Sequence, residues 1–166
     1  MIFMKDKELN KLFRIWSSIY RIRSIEKAIA REYSKNEMRC PTHLSIGQEA
    51  VPSCIQEFID EKDFAVSSHR GHAHYLAKGG SLKKMICEIF GKENGCANGK
   101  GGSMHLIDRS VGFAGTTAIV ANSIPIGVGL AFSQKLEKKR NITIVYFGDG
   151  AVEEGAFYES ASFFCM

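Results

Sequence analysis

The sequence predicts an α/β protein built on a parallel sheet with helices on both faces. Two apolar strands, Asp63–Ser68 and Asn141–Phe147, each run into a glycine-containing segment, and a helical pattern follows the second. Strand, glycine turn and helix in this order are typical of parallel sheets, which bind ligands at the carboxyl ends of their strands. The chain has 166 residues, 45% apolar and 24% charged, which suits one domain. Because only two strands are readable, we expect the sheet to be incomplete.

A long amphipathic helix opens the chain, from Lys5 to about Lys35. Its apolar side chains recur every three or four residues, the spacing of one helix face. The pattern breaks at Cys40–Pro41, so we assign residues 1–40 to an N-terminal helical arm and residues 41–166 to the α/β domain. The apolar positions of this helix are Leu9, Leu12, Phe13, Trp16, Ile19, Ile22, Ile25 and Ile29.

The remaining helices are predicted from apolar periodicity and from their boundaries. Ser81 is a suitable N-cap for the third helix, and Gly91 stands where that helix should stop. Residues 91–117 form a long glycine-rich connection, and such connections are usually functional or mobile. Further helices are expected at Ile46–Ile59, Ser81–Phe90, Ile119 to about Lys138, and from about Val152 onward.

Charge and cysteine content exclude several classes of function. The net charge is +4, and the basic stretches are interrupted by glutamates, so nucleic-acid binding is not indicated. The charge-free stretch Ser110–Gln134 contains polar residues and glycines, and we expect no membrane span. The five cysteines form no CxxC pair and the N-terminus has no signal-peptide pattern, so we expect a reducing compartment, the cytoplasm.

Two segments at strand ends carry residues suited to a phosphate ligand. Asp149, between Gly148 and Gly150, could hold a divalent cation against phosphate oxygens, while the following helix N-terminus favours anions. Such a turn is also a common plain connection. After the other strand, Arg70 could clamp a phosphate with help from His69. His69, His72 and His74 could instead bind zinc, or could simply be packed polar residues.

Two glycine-rich segments partly match nucleotide-binding motifs. Asn98–His105 looks like a phosphate cradle, but Lys100 is followed by glycine, so the P-loop pattern fails. Gly127 to Gly129 lacks the third glycine and the leading strand of the dinucleotide fingerprint. His43, taken alone, is more often structural than catalytic. Nucleotide hydrolysis and nicotinamide binding are therefore disfavoured.

Five segments, in order, resemble the alpha subunit of the first component of thiamine-diphosphate-dependent 2-oxo acid dehydrogenase complexes. This family includes the pyruvate, branched-chain 2-oxo acid and acetoin enzymes, and the resemblance covers nearly the whole chain from about Leu9. It implies the thiamine-diphosphate-binding fold. The segments are HLSIGQEAV (43–51), HRGHAHYLAKG (69–79), GKGGSMHLID (99–108), IVANSIPIGVGLAF (119–132) and YFGDGAVEEGAFYES (146–160).

The resemblance implies a site for thiamine diphosphate and magnesium at an interface with a beta subunit. Arg70 would bind the diphosphate, and His69 stands where the family more often has tyrosine. Asp149 would coordinate magnesium, and His43 would face the substrate. The remaining cofactor contacts would come from backbone groups of Ala118, Val120, Gly150 and Ala151.

The resemblance also implies an activity and partners. The cofactor serves as electron sink for decarboxylation of a small 2-oxo acid, or for cleavage of acetoin, and the acyl group passes to a lipoyl-bearing acyltransferase. Two alpha and two beta chains are expected in the enzyme. Two alternatives stay open: a non-catalytic subunit or scaffold that pairs with a beta-like chain, and a transketolase-type half enzyme.

The end of the chain bears on cofactor binding. The sequence stops at Met166 inside an apolar helical pattern, so we expect a fragment of a longer protein. In the family, an asparagine and a backbone carbonyl further along complete the magnesium site. We therefore expect that this polypeptide alone does not hold thiamine diphosphate tightly.

Overall fold

The computed structural model of the chain describes residues 6–165. Within that range the chain forms helices and a small sheet, joined by turns and short 3-10 helices. The helices α1 to α6 span Asp6–Tyr33, Ala50–Ile55, His72–Ala77, Leu82–Ile89, Ser123–Leu136 and Gly155–Phe164. The strands β1 to β3 span Phe64–Ser68, Phe113–Thr117 and Thr143–Val145.

The three strands form one parallel sheet in the order β2-β1-β3. The central strand is β1, whose Ala65 is aligned with Phe113 of β2 on one side and with Ile144 of β3 on the other. The chain passes from β1 to β2 and then crosses to the opposite side for β3. This arrangement confirms the predicted α/β class and is an incomplete form of the thiamine-diphosphate-binding fold.

Helices cover both faces of the sheet. Neighbouring residues of a strand point to opposite faces, and Ile144 packs against one apolar cluster while Val145 packs against another. The larger cluster includes Ile22 of α1 and Tyr75 of α3. On the other face α5 lies very close to β3. A Cβ at Gly127 would collide with the side chain of Val145, so only glycine allows this approach.

The strands differ from the prediction in two respects. Residues 91–117 were expected to be a connection only, yet they contain β2, which is short and rich in small residues, so its sequence carries no strand pattern. The strand predicted as buried at Asn141–Phe147 is reduced to β3, all three of whose residues are only half-buried. Since β3 is paired with β1 alone among the described strands, its outer edge is open, and Ile142 beside it is 50% exposed.

The helices follow the prediction with adjusted boundaries. Helix α1 is confirmed over the described residues, whereas Lys5, its predicted start, lies outside them. Helix α4 is confirmed with Ser81 as its N-cap, whose hydroxyl accepts a hydrogen bond from the N–H of Lys84 at 3.4 Å.

The other helices begin or end elsewhere than expected. The predicted helix 46–59 is only Ala50–Ile55: Gly47 has a left-handed φ of 94°, which delays the start, and residues 56–58 form a turn. Helix α5 begins at Ser123 and α6 at Gly155, each after a turn, and the short α3 was not predicted. In the described part of the chain, no helix combines the length and the apolar character of a membrane span.

Candidate functional site

A cavity of about 600 Å³ lies at the carboxyl ends of β1 and β3. Ser68, His69 and Arg70 line it where the chain leaves β1, and Gly148 and Asp149 line it where the chain leaves β3. The segment 47–51 contributes Gly47, Gln48 and Val51. Ligands of parallel α/β sheets bind at this edge, where connections diverge from a central strand.

Two opposite charges share this cavity. Arg70 is exposed and donates a hydrogen bond from Nη1 to the carbonyl oxygen of Leu44 at 2.7 Å, which orients its guanidinium group. Asp149 is also exposed and opens the 3-10 helix Asp149–Glu153. A guanidinium and a carboxylate on one cavity suit a phosphate group bridged by a divalent cation. The pair predicted from the two strand ends is thus brought together by the fold.

His69 and His43 lie in contact beside Arg70. Their ring centroids are 5.1 Å apart in an edge-to-face arrangement. Burial first, and then the charges of His43 and Arg70, lower the pKa of His69, so its imidazole is neutral at pH 7. A neutral imidazole can hydrogen-bond to a phosphate, as predicted for His69. His43 is not among the lining residues and reaches the cavity region through this contact.

A buried hydrogen-bonded chain holds the segment that carries His43. The carboxylate of Glu26 lies 2.7 Å from Nδ1 of His72, and Nε2 of His72 lies 2.8 Å from the hydroxyl of Ser103. The Ser103 hydroxyl accepts a hydrogen bond from the backbone N–H of His43 at 3.1 Å. Both ring nitrogens of His72 are thereby used internally, which argues against the zinc alternative. Among residues 6–165, no group of three or more metal-ligating side chains of His, Cys, Asp or Glu is assembled.

His74 also lines the cavity and was not predicted to belong to the phosphate site. Its ring stacks on Tyr146 with centroids 4.0 Å apart, and its Nδ1 lies 2.8 Å from the hydroxyl of Ser67. Burial lowers the pKa of His74 to about 3, so the ring is neutral at any physiological pH. The one signal in the sequence is the close spacing of the histidines, which predicts a zinc site or packed polar residues.

The other predicted cofactor contacts lie around this edge. Gly150 is exposed with open space where a side chain would stand. Ala151 is buried, and its backbone N–H already donates to the carbonyl of Gly148 at 3.0 Å, so a phosphate would have to share that N–H with the turn. Ala118 and Val120 follow the carboxyl end of β2 and are not among the cavity-lining residues.

The glycine-rich loop that looks like a phosphate cradle is occupied by the protein itself. The Glu88 carboxylate, fully buried in α4, accepts hydrogen bonds from the backbone N–H groups of Ala97, Gly99, Gly101 and Gly102 at 2.6 to 3.1 Å. A Cβ at Gly95 would collide with this glutamate. The loop therefore binds an internal anion. Sequence reasoning missed Glu88, because a single acidic residue in a helix gives no sign of burial.

The fold and the cavity define a parallel α/β protein with a cavity between two strand ends whose lining suits an anionic ligand. The family model described as "Dehydrogenase E1 component" matches residues 17–164. The chain belongs to this family, and the resemblance noted from the five segments is confirmed.

Curated relatives agree with this membership. The chain is 41% identical over 139 residues to the pyruvate dehydrogenase E1 component subunit alpha of Rickettsia bellii, which covers 84% of this chain and 43% of the relative. It is 37% identical over 154 residues to the mitochondrial protein of the same name from Solanum tuberosum. This alignment covers 93% of this chain and 39% of the relative. The chain thus spans about two fifths of the length of these relatives.

Proposed function

We propose that this chain supplies the diphosphate and magnesium half of the thiamine diphosphate site in a 2-oxo acid dehydrogenase. The observation that carries the proposal is the shared cavity of Arg70 and Asp149 at the carboxyl ends of adjacent parallel strands. A diphosphate is strongly anionic, so two cationic groups beside its oxygens would offset most of its charge. Arg70 supplies one, and a magnesium ion held by Asp149 would supply the other.

The residues around the cavity fit such a ligand. Gly148 and Gly150 leave open space beside Asp149, so phosphate oxygens can approach the backbone there. Neutral His69 would donate a hydrogen bond to the phosphate without adding a positive charge to those of Arg70 and magnesium. His43 would lie towards the substrate side. Bound thiamine diphosphate supplies the electron sink for decarboxylation, while these residues bind it and orient it.

The relatives suggest the reaction and the partners. Both relatives described above are named as alpha subunits of the pyruvate dehydrogenase E1 component. This name supports pyruvate as the 2-oxo acid and a beta chain as partner. A lipoyl-bearing acyltransferase would accept the acyl group, and two alpha and two beta chains would form the enzyme. Membership in the E1 component family favours this reaction over a transketolase-type one. The alternative is a subunit that pairs with a beta-like chain but has no catalytic role. An activity assay of the alpha and beta chains together distinguishes this alternative from the enzyme.

The phosphate clamp is tested by Arg70→Ala. We expect the variant to bind thiamine diphosphate with magnesium at least about tenfold more weakly than the parent chain, since a charge-assisted pair is lost. The affinity is measured by NMR titration at millimolar ligand. Arg109→Ala, an exposed arginine outside the cavity, is the matched control and should bind like the parent. Equal affinity of Arg70→Ala and the parent would contradict the proposal.

A further inference from the structure

We propose that His74 is an additional ligand-binding residue of the cavity, donating a hydrogen bond from Nε2–H to a phosphate oxygen of the ligand that Arg70 holds. The inference deepens the proposed function and rests on it. It depends on two properties of His74: which ring nitrogen carries the proton, and where the free nitrogen points.

The environment of Ser67 fixes the proton on Nε2. Ser67 is fully buried, and within the described residues its hydroxyl has one hydrogen-bond partner, Nδ1 of His74, at 2.8 Å. If Nδ1 carried the proton and donated it to Ser67, the hydroxyl proton of Ser67 would be buried without an acceptor, which is costly. The hydroxyl therefore donates to Nδ1, and the proton of the neutral ring is on Nε2.

The Nε2 atom opens into the cavity. No described residue is hydrogen-bonded to it, yet none of the buried side-chain nitrogen and oxygen atoms of residues 6–165 lacks a partner. Nε2 is consequently accessible rather than buried. His74 lines the cavity and one face of its ring is covered by Tyr146, so this accessible atom faces the cavity.

The resulting donor is fixed in place and uncharged. Stacking on Tyr146 and the bond to Ser67 hold the ring in one orientation, so little entropy is lost when a ligand oxygen accepts the hydrogen bond. Because the ring is neutral, it offers the ligand a directional hydrogen bond without adding a positive charge. Arg70 and the cation thus balance the charge of the phosphates, and His74 fixes the position of one oxygen.

The tautomer is tested on the intact chain without any ligand. In ¹⁵N NMR we expect the Nδ1 of His74 to show the shift of an unprotonated nitrogen and Nε2 that of a protonated one, at pH 7. The reverse pattern, or equal shifts typical of exchange between tautomers, would overturn the inference. This result is independent of the proposed function.

The contact is tested with inorganic pyrophosphate and magnesium, followed by NMR titration. His74→Phe keeps a ring on Tyr146 but removes the donor, and we expect about threefold to tenfold weaker binding. His74→Gln, with an amide N–H near the same place, should recover part of the loss. His74→Phe leaves the Ser67 hydroxyl without a partner, which could impair folding. The double variant Ser67→Ala/His74→Phe also removes that hydroxyl, and it should show the same weakened binding. His105→Phe, an exposed histidine outside the cavity, is the matched control and should bind like the parent.

The outcomes separate the two proposals. If Arg70→Ala weakens pyrophosphate binding and both His74→Phe variants bind like the parent, this inference is overturned and the proposed function stands. A parent chain whose cavity signals do not respond to pyrophosphate would overturn both. Loss in His74→Phe with partial recovery in His74→Gln supports the inference, since a role in packing alone would not be recovered by glutamine.

Discussion

Glu88 shows how a single side chain can change the role of a loop. Each oxygen of its carboxylate accepts two backbone N–H groups: Oε2 those of Ala97 and Gly99, and Oε1 those of Gly101 and Gly102. Hydrogen bonds to a charged acceptor are stronger than neutral ones. The glutamate therefore organises the turn that leads to Ser103 and, through it, the backbone of His43.

Glu88→Gln should destabilise the chain although it is nearly isosteric. Whichever way the amide is oriented, its NH₂ group faces two backbone N–H donors that have lost their acceptor. We expect the free energy of unfolding to fall by about 2 to 4 kcal/mol, measured by urea denaturation at pH 7. Glu93→Gln, at an exposed position of the same region, is the control and should change stability little. Equal stability of both variants would show that the carboxylate charge is not needed.

At the scale of elements, an ion pair ties α1 to the start of α2. Nε of Arg23 donates to Oε1 of Glu49 at 2.5 Å, and Nη2 donates to Oε2 at 2.9 Å. The N–H of Gly47 also donates to this carboxylate, at 3.0 Å. These hydrogen bonds, above all those from Arg23, lower the pKa of Glu49 to about 2. The segment 47–51, one side of the cavity, is thereby anchored to α1.

This ion pair predicts a pH dependence of stability. The pKa of Glu49 is lower in the folded chain than its ordinary value of 4.5. Its contribution is therefore present above about pH 4.5 and is lost as the pH falls towards 2. Glu49→Gln should lower the free energy of unfolding by about 2 to 3 kcal/mol at pH 7 and flatten its decline between those pH values.

Urea unfolding at several pH values measures this effect. Glu32→Gln is the control, because its ion pair with Lys35 is exposed and contributes little. A stability profile of Glu49→Gln that declines as steeply as that of the parent would show that another carboxylate is responsible.

On the scale of the whole molecule, large apolar surfaces face solvent. The first half of the amphipathic helix α1 leaves its apolar side chains in solvent, since Phe13 is 64% and Trp16 59% exposed. Phe164 of α6 is 70% exposed, and the outer edge of β3 is open. Asp149 is the one carboxylate among the residues that line the cavity, and residues 6–165 assemble no larger set of metal ligands.

The incomplete cavity predicts weak binding of the whole cofactor. Magnesium needs a near-octahedral set of oxygen ligands, and Asp149 alone with water and phosphate oxygens holds it poorly. Calorimetry of the chain with thiamine diphosphate and magnesium should show no micromolar binding. The control is the same titration with Arg109→Ala, whose substitution lies outside the cavity and should leave the result unchanged. Micromolar binding by the parent chain would contradict this expectation.

The sequence by itself determined the α/β class, the long first helix, the capped α4 and the family, because these depend on local periodicity and on motifs at strand ends. It also indicated Arg70 and Asp149, since the carboxyl ends of parallel strands meet at one edge. Only the tertiary structure decided that β2 pairs with β1, that Glu88 fills the glycine-rich loop, and that His74 lies in the cavity. Each of these depends on contacts between distant segments, and burial of a charge or the free nitrogen of an imidazole leaves no local pattern in a sequence.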